Sequence, residues 1–179
     1  MQYIPAPWRE PYVKNALKTR GCVLCGALKR GADKETYILY RGTHNFIILN
    51  TFPYTPGHLM IAPFRHTADF ARTSPPAAAE LVALLKLAVR VLGTHYHPQG
   101  FNVGMNLGRS AGAGVADHYH LHVIPRWKGD SNFMPLVGRT RVLTEDLDTT
   151  YNRLFPLFEK DRKRVARRTR KAKDPSPSR

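Results

Sequence analysis

Within the segment 117–127, polar and apolar residues alternate from His118 to Val123, and the three polar residues of this run are histidines. The alternating residues are His118, Tyr119, His120, Leu121, His122 and Val123. A two-residue period is typical of a β-strand with one buried face, so this segment is predicted to be a strand with all three imidazoles on one side. A helix would scatter them around its circumference. Three histidines on one face beside a glycine-rich loop indicate a functional site.

Four further apolar runs have the composition and flanking turns of strands. They are Tyr37–Tyr40, Asn45–Asn50, His58–Ala62 and Phe101–Leu107. The first two are separated by Arg41-Gly42-Thr43-His44, which is typical of a hairpin turn. With the histidine strand they predict a five-stranded antiparallel sheet, and the two main helices described next make the chain an α+β protein.

Helical periodicity is clearest after Ser74, which is the expected N-cap, with Pro75 at the first helical position. The apolar residues at helical spacing are Leu81, Leu84, Leu85, Ala88, Val89 and Leu92. Gly93 is expected to stop this helix. A second helix is predicted over roughly residues 144–158, and Cys22–Gly31 is predicted to be a turn or short helix. Another short helix is expected near Pro11–Leu17.

The net charge of +15 is unevenly distributed over the 179 residues. Residues 160–179 hold ten Lys/Arg and two Asp, so this segment alone carries +8. The chain is therefore divided into an N-terminal arm (1–20), one domain (21–159) and a basic tail (160–179) that is expected to be disordered. The rest of the chain also carries a net positive charge, which fits a polyanionic ligand. The tail either adds loose contact with nucleic acid or only improves solubility.

Size and hydropathy fit a single globular domain. An apolar content of 42% is ordinary for such a protein. The sequence contains no run of eighteen apolar residues, and its first residues lack a charged and then apolar signal pattern. A cytoplasmic location without membrane contact is therefore expected.

The two cysteines, Cys22 and Cys25, form a C-x-x-C motif. Two cysteines are too few for a disulfide framework. Thioredoxin-like chemistry requires a strand before the motif, whereas Lys18-Thr19-Arg20-Gly21 precedes it here. Metal binding is the better interpretation, although two sulfur ligands need two more partners.

The segment His118–Ile124 resembles the H-φ-H-φ-H-φ-φ motif of the histidine triad family of nucleotide hydrolases and transferases. Asn50–His58 is similar to that family's Asn-x-x-Pro-x-x-x-Gly-His segment, and Asn106-Leu107-Gly108 resembles its phosphate-side segment. The run Pro125–Phe133 is similar to the bacterial diadenosine tetraphosphate phosphorylase branch. The resemblance covers about residues 20–135. It implies the histidine-triad fold, with the sheet extended across a homodimer.

Chemistry and the resemblance together suggest a role for each histidine of the triad. A neutral imidazole can attack phosphorus without losing a proton first, and His120 at the centre is the expected nucleophile. The family analogy implies that a backbone carbonyl near His118 holds the other ring nitrogen of His120. His122 is expected to bind phosphate oxygens and to help protonate the leaving group.

The nucleotide-binding residues are expected in two loops. By resemblance, Asn50 should hold the ribose hydroxyls and His58 should support the catalytic strand. Gly112 and Gly114 allow the loop after Asn106 to turn its amides inward as an anion-binding nest. The Asn106 side chain is expected to be a further donor to the phosphate.

The resemblance to several bacterial triad proteins also implies a metal ligand set. In those proteins, C-x-x-C is joined by a histidine after the third strand and by the first histidine of the triad. Here these residues are Cys22, Cys25, His66 and His118. Two cysteines and two histidines form a closed, tetrahedral, structural zinc site.

The activity expected is that of a nucleotidyltransferase that splits diadenosine tetraphosphate through an adduct on His120, which phosphate attacks to release ADP and ATP. Fragile histidine triad hydrolases have Gln four residues before the first triad histidine, where this chain has Gly114. Compared with several members of the family, the chain also has one extra residue between Asn106 and His118. Two alternatives remain open, namely a water-dependent hydrolase of dinucleoside polyphosphates or nucleoside phosphoramidates, and a nucleotide- or nucleic-acid-binding regulator with weak chemistry.

Overall fold

A computed structural model describes residues 21–130 and 145–173 of the chain. The expected N-terminal arm and its short helix lie outside these residues. Five antiparallel strands form one sheet in the order β1-β2-β3-β5-β4. The strands are β1 (Ile38–Arg41), β2 (Asn45–Leu49), β3 (Leu59–Pro63), β4 (Gly100–Met105) and β5 (Leu121–Arg126). The predicted α+β fold with a five-stranded antiparallel sheet is confirmed.

Two long helices and two short ones accompany the sheet. They are α1 (Val23–Arg30), α2 (Asp33–Thr36), α3 (Pro75–Tyr96) and α4 (Leu147–Lys173), and a 3₁₀ turn covers Arg109–Ala111. No helix in the described part of the chain is both long enough and apolar enough to span a bilayer.

The sheet separates two hydrophobic clusters. The larger cluster joins α3 and α4 to one face, and its strand residues include Ile47, Ile61 and Val123. The smaller cluster lies on the other face, where α1 contributes Leu24 and Ala27. On the same face, Met60 of β3 and His122 of β5 are paired across the strands and are half-buried.

Both long helices have limits in the structure that differ from the predicted ones. The helix α3 passes through Gly93 and ends at Tyr96, followed by His97 in the left-handed conformation (φ 48°). A glycine inside a helix costs only about 1 kcal/mol, which tertiary packing of α3 offsets. Ser74 precedes α3 as expected but makes no side-chain capping bond. The helix α4 continues to Lys173, so residues 160–173 are helical and not disordered as expected.

The histidine segment is only partly a strand. The strand β5 begins at Leu121, so His118 and His120 precede the ladder. Strand pairing is absent at His118 and His120 because other hydrogen bonds replace it. The Tyr119 N–H donates to Thr67 O, and the His118 ring donates to the Pro63 carbonyl. The side-chain alternation nevertheless persists, because Tyr119 belongs to the larger core with Leu121 and Val123.

A single carboxylate fixes the β1–β2 hairpin to α3. The Glu80 oxygens accept the backbone N–H groups of Thr43, His44 and Asn45 at 2.6–2.7 Å. Burial by itself would raise the pKa of Glu80, but these donors and the Asn45 side chain lower it overall. A side chain at Gly42 would collide with this carboxylate.

Candidate active site and metal site

His120 is buried, with 3% of its surface exposed, at the start of β5. Its Nδ1 lies 3.0 Å from the His118 carbonyl oxygen. A carbonyl can only accept, so Nδ1 carries the proton and Nε2 keeps its lone pair. Burial lowers the pKa of His120, although the hydrogen bond to His118 opposes this shift. The geometry therefore favours a neutral imidazole with a nucleophilic Nε2.

His58 and His122 form a chain of hydrogen bonds with a defined direction. The Tyr54 backbone N–H donates to His58 Nδ1 at 3.1 Å, which makes that nitrogen the acceptor. His58 Nε2 must then carry the proton, and it lies 3.0 Å from His122 Nδ1. A neutral His122 that accepts at Nδ1 has its own proton on Nε2. The His120 and His122 rings lie 4.8 Å apart, so a ring with an Nε2 lone pair and a ring with an Nε2 proton lie side by side.

Asn50 lies next to this chain. Its Oδ1 accepts the Phe52 N–H at 2.9 Å, which closes a turn at the end of β2. Its Nδ2 lies 3.4 Å from both ring nitrogens of His58. The structure thus brings Asn50 to the histidines, while its contact with ribose stays a prediction.

The loop between β4 and β5 is held together by Asn106. Its side-chain amide donates to the Ala111 carbonyl, and Gly112 lies directly against the same amide. Met105 pairs with Leu121, so the loop leaves the sheet beside the histidine segment 118–122. Two glycines of this loop, Gly108 and Gly112, have a positive φ of 85°, and the anion-binding nest expected at Gly112 and Gly114 stays a prediction.

The four expected metal ligands form one cluster. One ligand atom from each of Cys22, Cys25, His66 and His118 lies within 4.8 Å of all the others. His118 Nδ1 is 3.4 Å from Cys22 Sγ and 3.6 Å from Cys25 Sγ, and Cys25 Sγ is 3.4 Å from His66 Nδ1. Zinc–sulfur and zinc–nitrogen bonds at tetrahedral angles give sulfur–nitrogen edges of about 3.5 Å. The cluster therefore fits a tetrahedral metal ion.

The surroundings of the cluster also suit a cation. His118 Nε2 lies 2.8 Å from the Pro63 carbonyl, which fixes the proton there and directs the Nδ1 lone pair at the cluster. Burial raises the pKa of the Cys25 thiol, and the neighbouring Cys22 raises it further. A pair of thiolates is thus unfavourable unless a positive ion compensates their charge.

Some of the groups that shape this site were not recognised from the sequence. They are the carbonyl of Pro63 and the N–H of Tyr54. Every residue carries a carbonyl and nearly every residue an N–H, so no residue type marks them. Only the position of β3 beside β5 reveals their function.

Comparison with known proteins identifies the family. The HIT domain model matches residues 32–129, which is more than half of the chain. This chain belongs to the HIT domain family. The match includes the whole triad, Asn50, His58 and His66, whereas Cys22 and Cys25 precede it.

Two enzymes among the HIT relatives bear informative names. An AP-4-A phosphorylase of Mycobacterium tuberculosis is 42% identical over 119 residues, which are 66% of this chain and 61% of that protein. The chain thus spans less than two thirds of that relative's length. A bis(5′-adenosyl)-triphosphatase of Saccharomyces cerevisiae is 30% identical over 92 residues, covering 51% of this chain and 44% of that enzyme. These names support an enzyme that processes nucleotides.

A solved HIT structure has a similar fold. The Zn-bound histidine triad family protein of Mycobacterium smegmatis superposes with a TM-score of 0.64 at 27% identity. The superposition covers 80% of this chain and 97% of that protein. It confirms the histidine-triad fold.

Proposed function

We propose that this protein is a nucleotidyltransferase that cleaves dinucleoside polyphosphates, with diadenosine tetraphosphate as substrate, through a covalent nucleotidyl group on His120. The observation that carries the proposal is the hydrogen bond between His120 Nδ1 and the His118 carbonyl. It holds the proton on one nitrogen and leaves the other free to attack.

The first step forms a bond between His120 Nε2 and the α-phosphorus while the bond from that phosphorus to the bridging oxygen breaks. As that bond breaks, the proton on His122 Nε2 moves towards the bridging oxygen, supported by the His58 donor at Nδ1, and it returns to His122 when the polyphosphate leaves as an anion. The modified His120 keeps its Nδ1 proton, so the His118 carbonyl also stabilises the resulting imidazolium. The second acceptor then forms a bond to the same phosphorus while the bond to His120 breaks.

The substrate is expected to bind across the histidine segment 118–122. Asn50 would hold the ribose hydroxyls, with its amide already oriented by Phe52 and His58. Asn106, Gly112 and Gly114 would surround the phosphates. The positive φ of Gly108 and Gly112 supports a tight turn of the backbone at this anion site.

Inorganic phosphate is the second acceptor that we favour, which would give ADP and ATP as products. The 42% identity to a protein named AP-4-A phosphorylase supports this choice. The similarity to a protein named bis(5′-adenosyl)-triphosphatase favours water as the competing acceptor, which would give AMP.

We also propose that Cys22, Cys25, His66 and His118 hold a structural zinc ion. When bound, the ion would crosslink α1 to the segment that carries His120, and a closed set of four protein ligands leaves no position for catalysis. The cluster geometry and the structural similarity to a Zn-bound histidine triad protein support this assignment.

A product assay tests the proposal. Purified protein is incubated with diadenosine tetraphosphate, with and without phosphate, and the nucleotides are separated by chromatography. We expect ADP and ATP in equal amounts, dependent on phosphate, and none with His120→Ala. His44→Ala, which alters an exposed histidine away from the site, should remain active. AMP formation independent of phosphate would support the hydrolase, and turnover by His120→Ala would contradict the mechanism.

A further inference from the structure

The loop between β4 and β5 carries a single charged residue, Arg109. From Gly100 to Ala116 the sequence contains no Asp, Glu, Lys, His or second Arg. Arg109 begins the 3₁₀ turn of this loop and is exposed. Among the described residues, no group accepts a hydrogen bond from its guanidinium group. Its charge is therefore available to an anion from outside the chain.

Exposure alone does not distinguish Arg109 from other arginines. Arg72 is also exposed, and its side chain takes part in no ion pair of the described residues. It precedes α3, and the neighbouring Thr73 donates to the hydroxyl of Tyr119, which packs in the larger core with α3. What distinguishes Arg109 is its position beside the histidine segment 118–122.

The ends of β4 and β5 bring the loop to His120. Met105 and Leu121 are the last residues paired between the two strands, and Asn106 and His120 are the next residues beyond that pair. Opposite residues of antiparallel strands lie about 5 Å apart. The start of the loop is therefore beside the proposed nucleophile.

Hydrogen bonds keep the loop compact. The Asn106 side-chain amide donates to the Ala111 carbonyl, and the Gly112 N–H donates to the Arg109 carbonyl at 2.9 Å. The chain thus returns to Asn106 after a single turn. The backbone of Arg109 is held near Asn106, and its long side chain can extend from there over bound phosphates.

Open space lies beside His122 on the same pair of strands. Gly104 of β4 pairs with His122, and directly opposite residues share one face of a sheet. A Cβ atom at Gly104 would meet no atom within 4 Å. Because β4 is an edge strand, there is room next to His122 for the phosphates that follow the α-phosphate.

The proposed mechanism uses one position twice. In the first step, the bond to the bridging oxygen breaks on the side opposite His120, since attacking and leaving atoms lie roughly in line. In the second step, the acceptor attacks opposite the bond to His120 and so enters from the same side. When the acceptor is inorganic phosphate, its phosphorus replaces the β-phosphorus that has left. A group that binds one of these phosphates therefore also binds the other.

Arginine suits this position because its planar guanidinium group donates two parallel hydrogen bonds to one phosphate. Water as the acceptor offers no charge to such a group. A cation at this position therefore increases the local concentration of phosphate and leaves that of water unchanged.

We propose that Arg109 binds the phosphate next to the α-phosphate, first in the leaving polyphosphate and then in the inorganic phosphate that attacks the adduct. Arg109 is thus a specificity-determining residue that favours phosphate over water as the second acceptor. An oxygen of inorganic phosphate forms the new bond to the α-phosphorus, and the electron pair of the broken bond returns to His120 Nε2. The attacking oxygen is already ionised, so no proton has to be removed from it. This inference rests on the proposed function.

The test separates the second step from the first. The substrate is the p-nitrophenyl ester of AMP, whose leaving group contains no phosphate, so Arg109 can act only on the acceptor. Native protein, Arg109→Gln, Arg109→Lys and the matched control Arg72→Gln are assayed at several phosphate concentrations. The ratio of ADP to AMP then measures the choice between phosphate and water.

At equal phosphate concentration, we expect the ratio of ADP to AMP to fall about tenfold or more in Arg109→Gln, because a hydrogen bond between charged groups is lost. Arg109→Lys keeps the charge without the paired donors and should give an intermediate ratio. Arg72→Gln should give the ratio of the native protein. General damage to the site would lower both products together and leave their ratio unchanged.

An unchanged ratio in Arg109→Gln would overturn the inference, as would an equal fall in Arg72→Gln. AMP as the only product of the native protein at high phosphate concentration would overturn it as well.

Failure of the proposed function has a different signature, because neither the ester nor diadenosine tetraphosphate would then yield a nucleotide product with any of the proteins. Titration calorimetry with inorganic triphosphate still tests Arg109 in that case. We expect binding to be about tenfold weaker in Arg109→Gln, for the same loss of a charged hydrogen bond, and native affinity in Arg72→Gln. Equal affinity of native protein and Arg109→Gln would overturn the inference.

Discussion

At the scale of single residues, the structure assigns each imidazole a proton position through a backbone group. A carbonyl fixes His120, and the Tyr54 N–H fixes His58 and through it His122. In the proposed mechanism, this order of donors and acceptors, more than the presence of three histidines, makes one ring a nucleophile and its neighbour an acid. The residue types, and through the resemblance the carbonyl that holds His120, were predictable from the sequence, whereas the proton positions of His58 and His122 required the fold.

Replacing His58 with Phe tests this order. The variant keeps an aromatic ring next to Tyr54 but removes the Nε2 donor to His122. We expect turnover of diadenosine tetraphosphate to fall about 100-fold, the lower end of the roughly 10²–10⁴-fold that a positioned acid contributes, because His58 acts only through His122. A p-nitrophenyl ester of AMP should be affected much less, because its leaving group needs no proton.

The matched control for this experiment is Tyr54→Phe, which retains the backbone N–H that His58 accepts. Its kinetics with both substrates should resemble those of the native protein. An equal loss on both substrates in His58→Phe would show that His58 supports the site only structurally.

At the scale of elements, the metal cluster joins α1 to the start of β5, which are far apart in the sequence. His118 belongs both to the cysteine–histidine cluster and to the candidate active site. Its ring lies against Cys22, and its backbone carbonyl holds Nδ1 of His120. The C-x-x-C motif and the resemblance were sufficient to predict which four residues come together in this cluster. The support that His118 receives from Pro63 was not predictable, because it depends on where β3 ends.

We expect the purified protein to contain one zinc ion per chain, measured by atomic emission. Cys22→Ser should lose the metal and unfold at a lower temperature, since ligand binding energy contributes to folding. His95→Gln, which changes a histidine outside the cluster, should keep both properties. Stoichiometric zinc in Cys22→Ser would contradict the ligand assignment.

The Glu80 bonds give a second prediction at this scale. Glu80→Gln should lower the free energy of unfolding at pH 7 by about 1–3 kcal/mol, because it loses charged hydrogen bonds to the hairpin. The folded-state pKa is lowered from its ordinary value of 4.5. The stabilisation is therefore complete above pH 4.5 and disappears as the pH falls through the folded value.

Urea unfolding at pH 7 and at pH 3 measures this difference, and the exposed substitution Glu35→Gln corrects for acid effects on the rest of the chain. The difference in the free energy of unfolding between the native protein and Glu80→Gln should be smaller at pH 3 than at pH 7. A gap that widens on acidification would contradict the role given to this carboxylate.

The strands and the core were predictable because their apolar pattern is strong and local. The extension of α4 was not, because a like-charged run is typical of disorder. Its helix starts within the core, where Tyr151, Leu154 and Phe158 are buried, and a helix that is already nucleated propagates easily. The strand β5 was predicted to include His118 and His120, but it begins after them. Hydrogen bonds to Pro63 and Thr67 replace strand pairing at these residues, and alternation in the sequence does not reveal such bonds.

At the scale of the whole molecule, β4 forms one edge of the sheet, and Val103 at its centre is 44% exposed. The homodimer implied by the family would continue the sheet across such an edge. Sedimentation should then give about twice the chain mass of 20.3 kDa. Val103→Lys should be monomeric, because a charged residue blocks edge pairing.

Val82→Lys is the matched control, since Val82 on α3 is exposed to a similar extent, 49%. It should sediment like the native protein. A native protein that sediments as a monomer at micromolar concentration would contradict the extended sheet.

The whole account depends on His120 as the nucleophile, and covalent trapping tests this most directly. Native protein is mixed with diadenosine tetraphosphate labelled in the α-phosphate, quenched in alkali and digested for mass spectrometry. The account predicts an acid-labile adenylyl group on His120, absent from His120→Ala. No covalent label, or a label on another side chain, would contradict it.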